Sequence, residues 1–125
     1  MFVREKESIT AVEWGNGLSY RFLVGSDGMG FTVADTVVHA GTKSRLQYRR
    51  HLEACYCISG QGQVISVDGA VQYEIRPGVL YALDQHDAHF LIADEAEDLR
   101  LISVFSPALR GDEVHRLDGD EFSEY

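Results

Sequence analysis

Positive charge is scarce in this chain: 11 Lys and Arg stand against 20 Asp and Glu, a formal net charge of −9 over 125 residues. A phosphate-binding surface needs clustered basic residues, so nucleic acid is not an expected partner. Long apolar runs are missing as well. No segment approaches the ~20 apolar residues of a membrane helix, and the opening MFVREKESIT lacks the apolar stretch of a secretory signal. Cysteine occurs only at Cys55 and Cys57. Two places apart on a strand, these would point the same way and not bridge; free thiols then imply a reducing compartment and a cytoplasmic location. Helical periodicity is absent too. No window keeps an apolar face at i, i+3, i+4 and i+7, so little helix is expected.

What the chain does have is short apolar and β-branched runs cut by turn residues. Hydrophobic residues make up 45%, enough for a folded core, and the length allows one domain over residues 1–125. Strands are expected over 20–24, 31–39, 54–58, 63–67, 71–75, 90–92 and 99–105. Ser26-Asp27-Gly28, Ala40-Gly41, Ser59-Gly60, Asp68-Gly69 and Pro77-Gly78 mark the turns between them. Asp68-Gly69 predicts a tight hairpin with positive φ at both residues. Many short strands in a small chain predict an all-β sandwich or barrel. The acidic end, residues 116–125, reads as a mobile tail.

Chemistry-bearing residues gather in two places. If HLEACYCI is a strand, His51, Glu53, Cys55 and Cys57 share a face, and a buried carboxylate and imidazole need partners or a metal. Downstream, YALDQHDAHF supplies Tyr81, Asp84, His86, Asp87 and His89, and the Asp68-Gly69 hairpin would fold it back towards the first segment. The two thiols read as small buried hydrophobes, and His86 as structural. Arg21, between Tyr20 and Phe22, needs an anion if it points inward; a substrate carboxylate is one. His115 near Glu113 reads, on its own, as a solvated turn.

The stretch GTKSRLQYRRHLEACYCISG resembles the first cupin motif. It keeps Gly41, Glu53 and Gly60 but holds Gln47 and Arg49 at the two histidine places. RPGVLYALDQ resembles the second motif, with Tyr81 for histidine and Gln85 for asparagine. SDGMGF, the HLEA-YCI-G run, GVLYALD-HD-H and LR---VF-P-L-G-EVH are similar to ectoine synthases, in the same order from about Arg21 to His115. The resemblance implies a single-domain cupin double-stranded β-helix, a jelly-roll barrel, paired as a homodimer. It implies a cyclising hydro-lyase that makes ectoine from the amino-acid derivative N-γ-acetyl-L-2,4-diaminobutyrate with Fe(II). The implied metal ligands are Glu53, Tyr81 and His89. Ser19, Arg21, Thr36, Ser103 and Phe105 are implied on the substrate. Tyr48, His51, Glu113 and His115 are implied as catalytic groups, which moves His115 from turn to site.

The chain also departs from that pattern. A tryptophan expected two places before Ser19 is absent; the place is Gly17, and the only tryptophan is Trp14, which a small insertion or slippage in EWGNGLS would bring near. A pocket cysteine is replaced by Ser103, and a polar pocket residue by Ala34. Asp94 to Asp98 lengthens a surface loop. The alternatives are a related cupin lyase or cyclase acting on another amino-acid amide, and a non-catalytic metabolite-binding cupin.

Overall fold

In the computed structural model the described residues are 1–117 and 122–124, the side chains of 123 and 124 excepted. Strands come in the order β1 (Val12–Glu13), β2 (Gly17–Leu23), β3 (Thr32–Val38), β4 (Lys43–Gln47), β5 (Leu52–Ser59), β6 (Gly62–Ser66), β7 (Gln72–Ile75), β8 (Leu80–Leu83), β9 (His89–Ala93), β10 (Leu99–Ser106) and β11 (Ser123–Glu124). Helix among the described residues is limited to 3-10 turns at Lys6–Ser8 and Gly25–Asp27. Sheet A has the order β1-β2-β3-β10-β5-β8, and sheet B the order β11-β4-β9-β6-β7. Every pairing is antiparallel except β11 with β4. The result is the expected all-β jelly roll.

Alternation builds the core. On β10, Leu99, Leu101, Ser103 and Phe105 are buried while Val104 and Ser106 are exposed, the period of two that a half-buried strand requires. From sheet B, Leu46, Val64, Ile75, Leu91 and Ala93 meet Val38, Leu83, Leu99 and Leu101 of sheet A in one cluster. Each fully buried aliphatic contributes about 1.5–3 kcal/mol relative to exposure. Gly60, at φ 82°, ends β5 where a Cβ would lie 2.3 Å from the Asp98 carbonyl oxygen. That close backbone approach turns the chain from sheet A into sheet B.

The structure adds to the sequence expectation the two-residue strands β1 and β11 and the strands β4 and β8, and it alters one turn. β4 and β8 were not expected, because exposed Lys43 and Arg45 alternate with buried Ser44 and Leu46, and exposed Leu80 and Ala82 with buried Tyr81 and Leu83. The β6–β7 hairpin forms, but its turn is longer than a two-residue turn. Ser66 N–H donates to Val71 O at 2.9 Å, Ala70 N–H to Asp68 Oδ1 at 3.0 Å, and only Gly69 of the pair has positive φ, at 74°. The Asp68 side chain thus takes up the amide that a tighter turn would pair across the strands. Cys55 and Cys57 are free and buried.

Of the stretch 116–125, expected as a mobile tail, residues 118–121 and 125 lie outside the described residues. Leu117 packs on the core cluster, the Phe122 ring lies 5.2 Å from that of Phe90, and Ser123–Glu124 pair with Leu46 and Gln47.

Candidate metal and substrate site

Antiparallel pairing of β5 with β8 and β10 places the first group of side chains. Cys55 lies opposite Tyr81 on one side and Ser103 on the other, with Glu53 opposite Leu83 and Phe105. Glu53, Cys55, Tyr81 and Ser103 therefore share the inner face of sheet A, and all four are buried. β3 adds Thr36, whose Oγ1 is 2.9 Å from Ser103 Oγ, and β2 adds Ser19 beside Thr36. With Trp14, Tyr48 and Phe105 these groups line one cavity, closed on the far side by Leu46 and Leu91. Water centres have about 20 Å³ there, room for roughly one molecule. A substrate would have to part these walls.

Arg21, His51, His89, Glu113 and His115 stand around the cavity and not on its wall. Arg21 is buried and does find an anion, but a protein one. Its guanidinium lies 3.5 Å from Glu113 Oε1, donates to Glu113 O at 2.7 Å, and donates through Nε to Ser19 Oγ at 3.2 Å. The Glu113 carboxylate also accepts from the amides of Arg110 and Gly111 at 2.8 and 2.9 Å. Partial burial works against its charge, yet those amides and Arg21 hold its pKa below the ordinary value. His115 is buried, not a solvated turn: its Nε2 is 3.0 Å from Tyr48 Oη, and its ring meets the edge of Trp14. His51 Nδ1 is 2.8 Å from Pro107 O, and its ring lies edge-on to Phe105.

The two vacant histidine places are explained by register. Ser44, Leu46 and Tyr48 face inward, so Gln47 and Arg49 do not reach the cavity. Gln47 instead donates to His86 O, and His86 Nδ1 lies within hydrogen-bond distance of Tyr48 O and His51 O, a structural role.

Glu53, Tyr81 and His89 have donor atoms suited to a cation. Burial raises the Glu53 carboxyl to about 8, despite an opposing hydrogen bond from Cys55. Burial also raises the Tyr81 phenol well above its usual range and lowers the pKa of His89. His89 Nδ1 lies 2.9 Å from Asp87 O, while its Nε2 is buried with no partner among the described residues. A buried, unsatisfied imidazole nitrogen costs about 1–3 kcal/mol, and a metal would satisfy it. Glu53 and Tyr81 share the cavity. Tyr81 and His89 share a groove of about 680 Å³ between β7 and β8 on its other side. The described residues hold no cluster of three His, Cys, Asp or Glu side chains, so a cation here would draw on the phenol as well. On donor chemistry and on the orphaned nitrogen, the residues fit such an ion.

Two cavity residues, Trp14 and Cys55, stand outside the site set read from the sequence. Trp14 reaches the cavity from the turn before β2, its Nε1 donating to Val37 O at 3.1 Å. Gly17 makes this possible: a Cβ there would lie 1.8 Å from Val37 O and 3.0 Å from the Trp14 Nε1. The only tryptophan thus enters the site from three places earlier than expected. Cys55 was assigned to packing, although its alternation with Glu53 already placed it on the same face.

Compared with known proteins, residues 1–124 match the family described as ectoine synthase. The chain is 45% identical to the L-ectoine synthase of Desulfatibacillum aliphaticivorans, covering 95% of each chain. It superposes on the crystal structure of ectoine synthase from P. lautus with a TM-score of 0.82 and 39% identity, over 89% of this chain and 81% of that one. A cupin 2 conserved barrel domain protein from Salinispora arenicola shares the fold alone, with a TM-score of 0.67 and 15% identity over 85% and 88% of the two chains.

Proposed function

The chain belongs to the ectoine synthase family, and from that premise we propose that it closes N-γ-acetyl-L-2,4-diaminobutyrate into ectoine, with loss of water. A single observation carries the reading at the level of this chain: the inner face of sheet A holds buried Glu53, Tyr81, Ser103 and Ser19, with half-buried Thr36, on one cavity wall, beside the orphaned His89 nitrogen. Glu53, Tyr81 and His89 would hold Fe(II), a carboxylate, phenolate and imidazole set that suits iron. The ion would supply a Lewis acid for the acetamide oxygen.

The reaction forms a C–N bond between the α-amine and the acetamide carbon, then breaks the C–O bond, with oxygen and two protons leaving as water. The protein has to fold a flexible chain so that amine and carbonyl meet. Arg21 and Ser19 would take the substrate carboxylate, with Arg21 exchanging part of its contact with Glu113. Thr36 and Ser103 present hydroxyls to the polar atoms of the chain. Phe105 and Trp14 supply apolar faces for its methylenes and exclude water. Tyr48 with His115, 3.0 Å apart, would hold and pass on the amine protons, with Glu113 and His51 supporting that end of the cavity.

The remaining readings extend the same picture. Residues 1–125 act as one unit, and the two buried free thiols suit a reducing cytoplasm. On the outer face of sheet A, exposed Leu52, Tyr56, Ile58, Leu80 and Val104 lie on the neighbouring strands β10, β5 and β8. This apolar patch supports a homodimer.

The test is product formation by purified, iron(II)-loaded protein without oxygen, read by chromatography. Ectoine should appear and be lost in Glu53→Ala. If well-folded, loaded protein makes none, Ala34 and Ser103 have redirected the pocket to another amino-acid amide.

A further inference from the structure

Buried positions on a core face ordinarily carry aliphatics, yet the inner face of sheet A carries a continuous polar row at its centre. Thr36 Oγ1 and Ser103 Oγ are 2.9 Å apart. Ser103 Oγ is 3.6 Å from Cys55 Sγ, directly across one rung of the β5–β10 ladder. Cys55 also faces Tyr81 across the β5–β8 ladder, alternates with Glu53 on the inner face of β5, and lines the same cavity as both. Cys55 is 1% and Ser103 1% exposed, so the contact between them is closed to water. The thiol is therefore the meeting point of three strands. On one side stand the hydroxyls that face the substrate; on the other stand two of the three candidate metal donors.

Cys57 provides an internal contrast. It is equally buried, but the hydrogen bonds of its thiol run to the backbone, to Ser59 O at 3.4 Å and Gly60 O at 3.8 Å. One cysteine behaves as a packing residue and the other does not.

We propose that Cys55 is a positioning residue whose thiol ties the Thr36–Ser103 pair to the Glu53–Tyr81 pair and fixes both for the metal and the substrate. The inference rests on the reading of Glu53, Tyr81 and His89 as metal donors. A plain hydrophobe at this position could be replaced by valine and would be harmed by serine. A polar link reverses that order, because valine offers no hydrogen bond and serine keeps one. Since Cys55 and Ser103 face each other, the thiol can also be returned from the opposite strand.

The experiment is a cobalt(II) titration of the metal-free full chain, followed by visible absorption, with folding checked by circular dichroism. Cys55→Val should weaken cobalt(II) binding about tenfold, the scale of losing a group that orients ligands, and should change the spectrum. Cys55→Ser should stay within about threefold of wild type. The double variant Cys55→Val with Ser103→Cys should recover most of the loss, and Cys57→Val should match wild type. If Cys55→Val does not fold, Cys55→Ala is read in its place. Wild-type affinity and spectrum in Cys55→Val, with Cys55→Ser the damaged variant, would overturn the proposal. Failure of wild type to bind cobalt(II) would instead remove the metal reading, and the proposal with it.

Discussion

Sheet A turns Ser19, Thr36, Glu53, Cys55, Tyr81 and Ser103 into the core, whereas sheet B turns in Leu46, Val64, Ile75, Leu91 and Ala93. Both faces obey the same alternation. Sheet B has two fully buried polar exceptions among its described residues. Ser44 is satisfied by Asn16, 2.8 Å away, while His89 leaves its Nε2 unpartnered. The difference teaches that burial and chemistry are separable in this fold. Sheet B supplies apolar area and one donor; sheet A gives up apolar area for a polar row that must be hydrogen-bonded throughout.

Removing the one unsatisfied donor of sheet B should break the division most severely. His89→Ala is expected to cut ectoine formation by about a thousandfold, while circular dichroism and thermal melting show a folded protein. Ile75→Ala, a buried sheet B position off the cavity wall, should do the opposite. It should cost about 2–5 kcal/mol of stability in urea titration, with turnover per folded molecule reduced far less. If both variants lose the same property, the two sheets do not divide the work.

Smaller changes sharpen the boundary. Trp14→Phe keeps an aromatic wall but leaves Val37 O without its 3.1 Å partner, which should cost about 1–2 kcal/mol by chemical denaturation and raise KM modestly. Glu113→Gln should have the smallest effect, and a pH-dependent one. The Glu113 pKa is lowered in the folded protein despite partial burial, by the Gly111 and Arg110 amides and by Arg21. Its carboxylate thus adds stability above the unfolded-state pKa, and this is lost as pH falls through the lower folded value. Wild type should therefore exceed Glu113→Gln in stability at neutral pH, and the gap should shrink in acid.

Much of this was legible in the sequence because it rests on local rules. Alternation and turn residues located seven strands within a residue or two at most ends, and the face shared by 51, 53, 55 and 57 followed from period two. β4 was not legible, since Lys43 and Arg45 on its outer face hide a strand whose inner face is only Ser44, Leu46 and the following Tyr48. Trp14 was legible only as a residue that a slippage in EWGNGLS would bring near. Its place in the cavity depends on a close approach between Gly17 and Val37 O that only three-dimensional pairing reveals. Arg21 was correctly expected to need an anion, but its finding one in Glu113, 92 places away, lay beyond any local pattern. The polarity of Cys55 was hidden for the same reason: cysteine is ambiguous until its cross-strand neighbours are known.

The most direct test of the account is an anomalous-difference map from crystals loaded with iron(II) without oxygen. The account predicts one peak bridging the sheets, within bonding distance of Glu53 and Tyr81 from sheet A and of His89 Nε2 from sheet B. A peak held by other residues, or none in crystals of protein that turns over substrate, would contradict it.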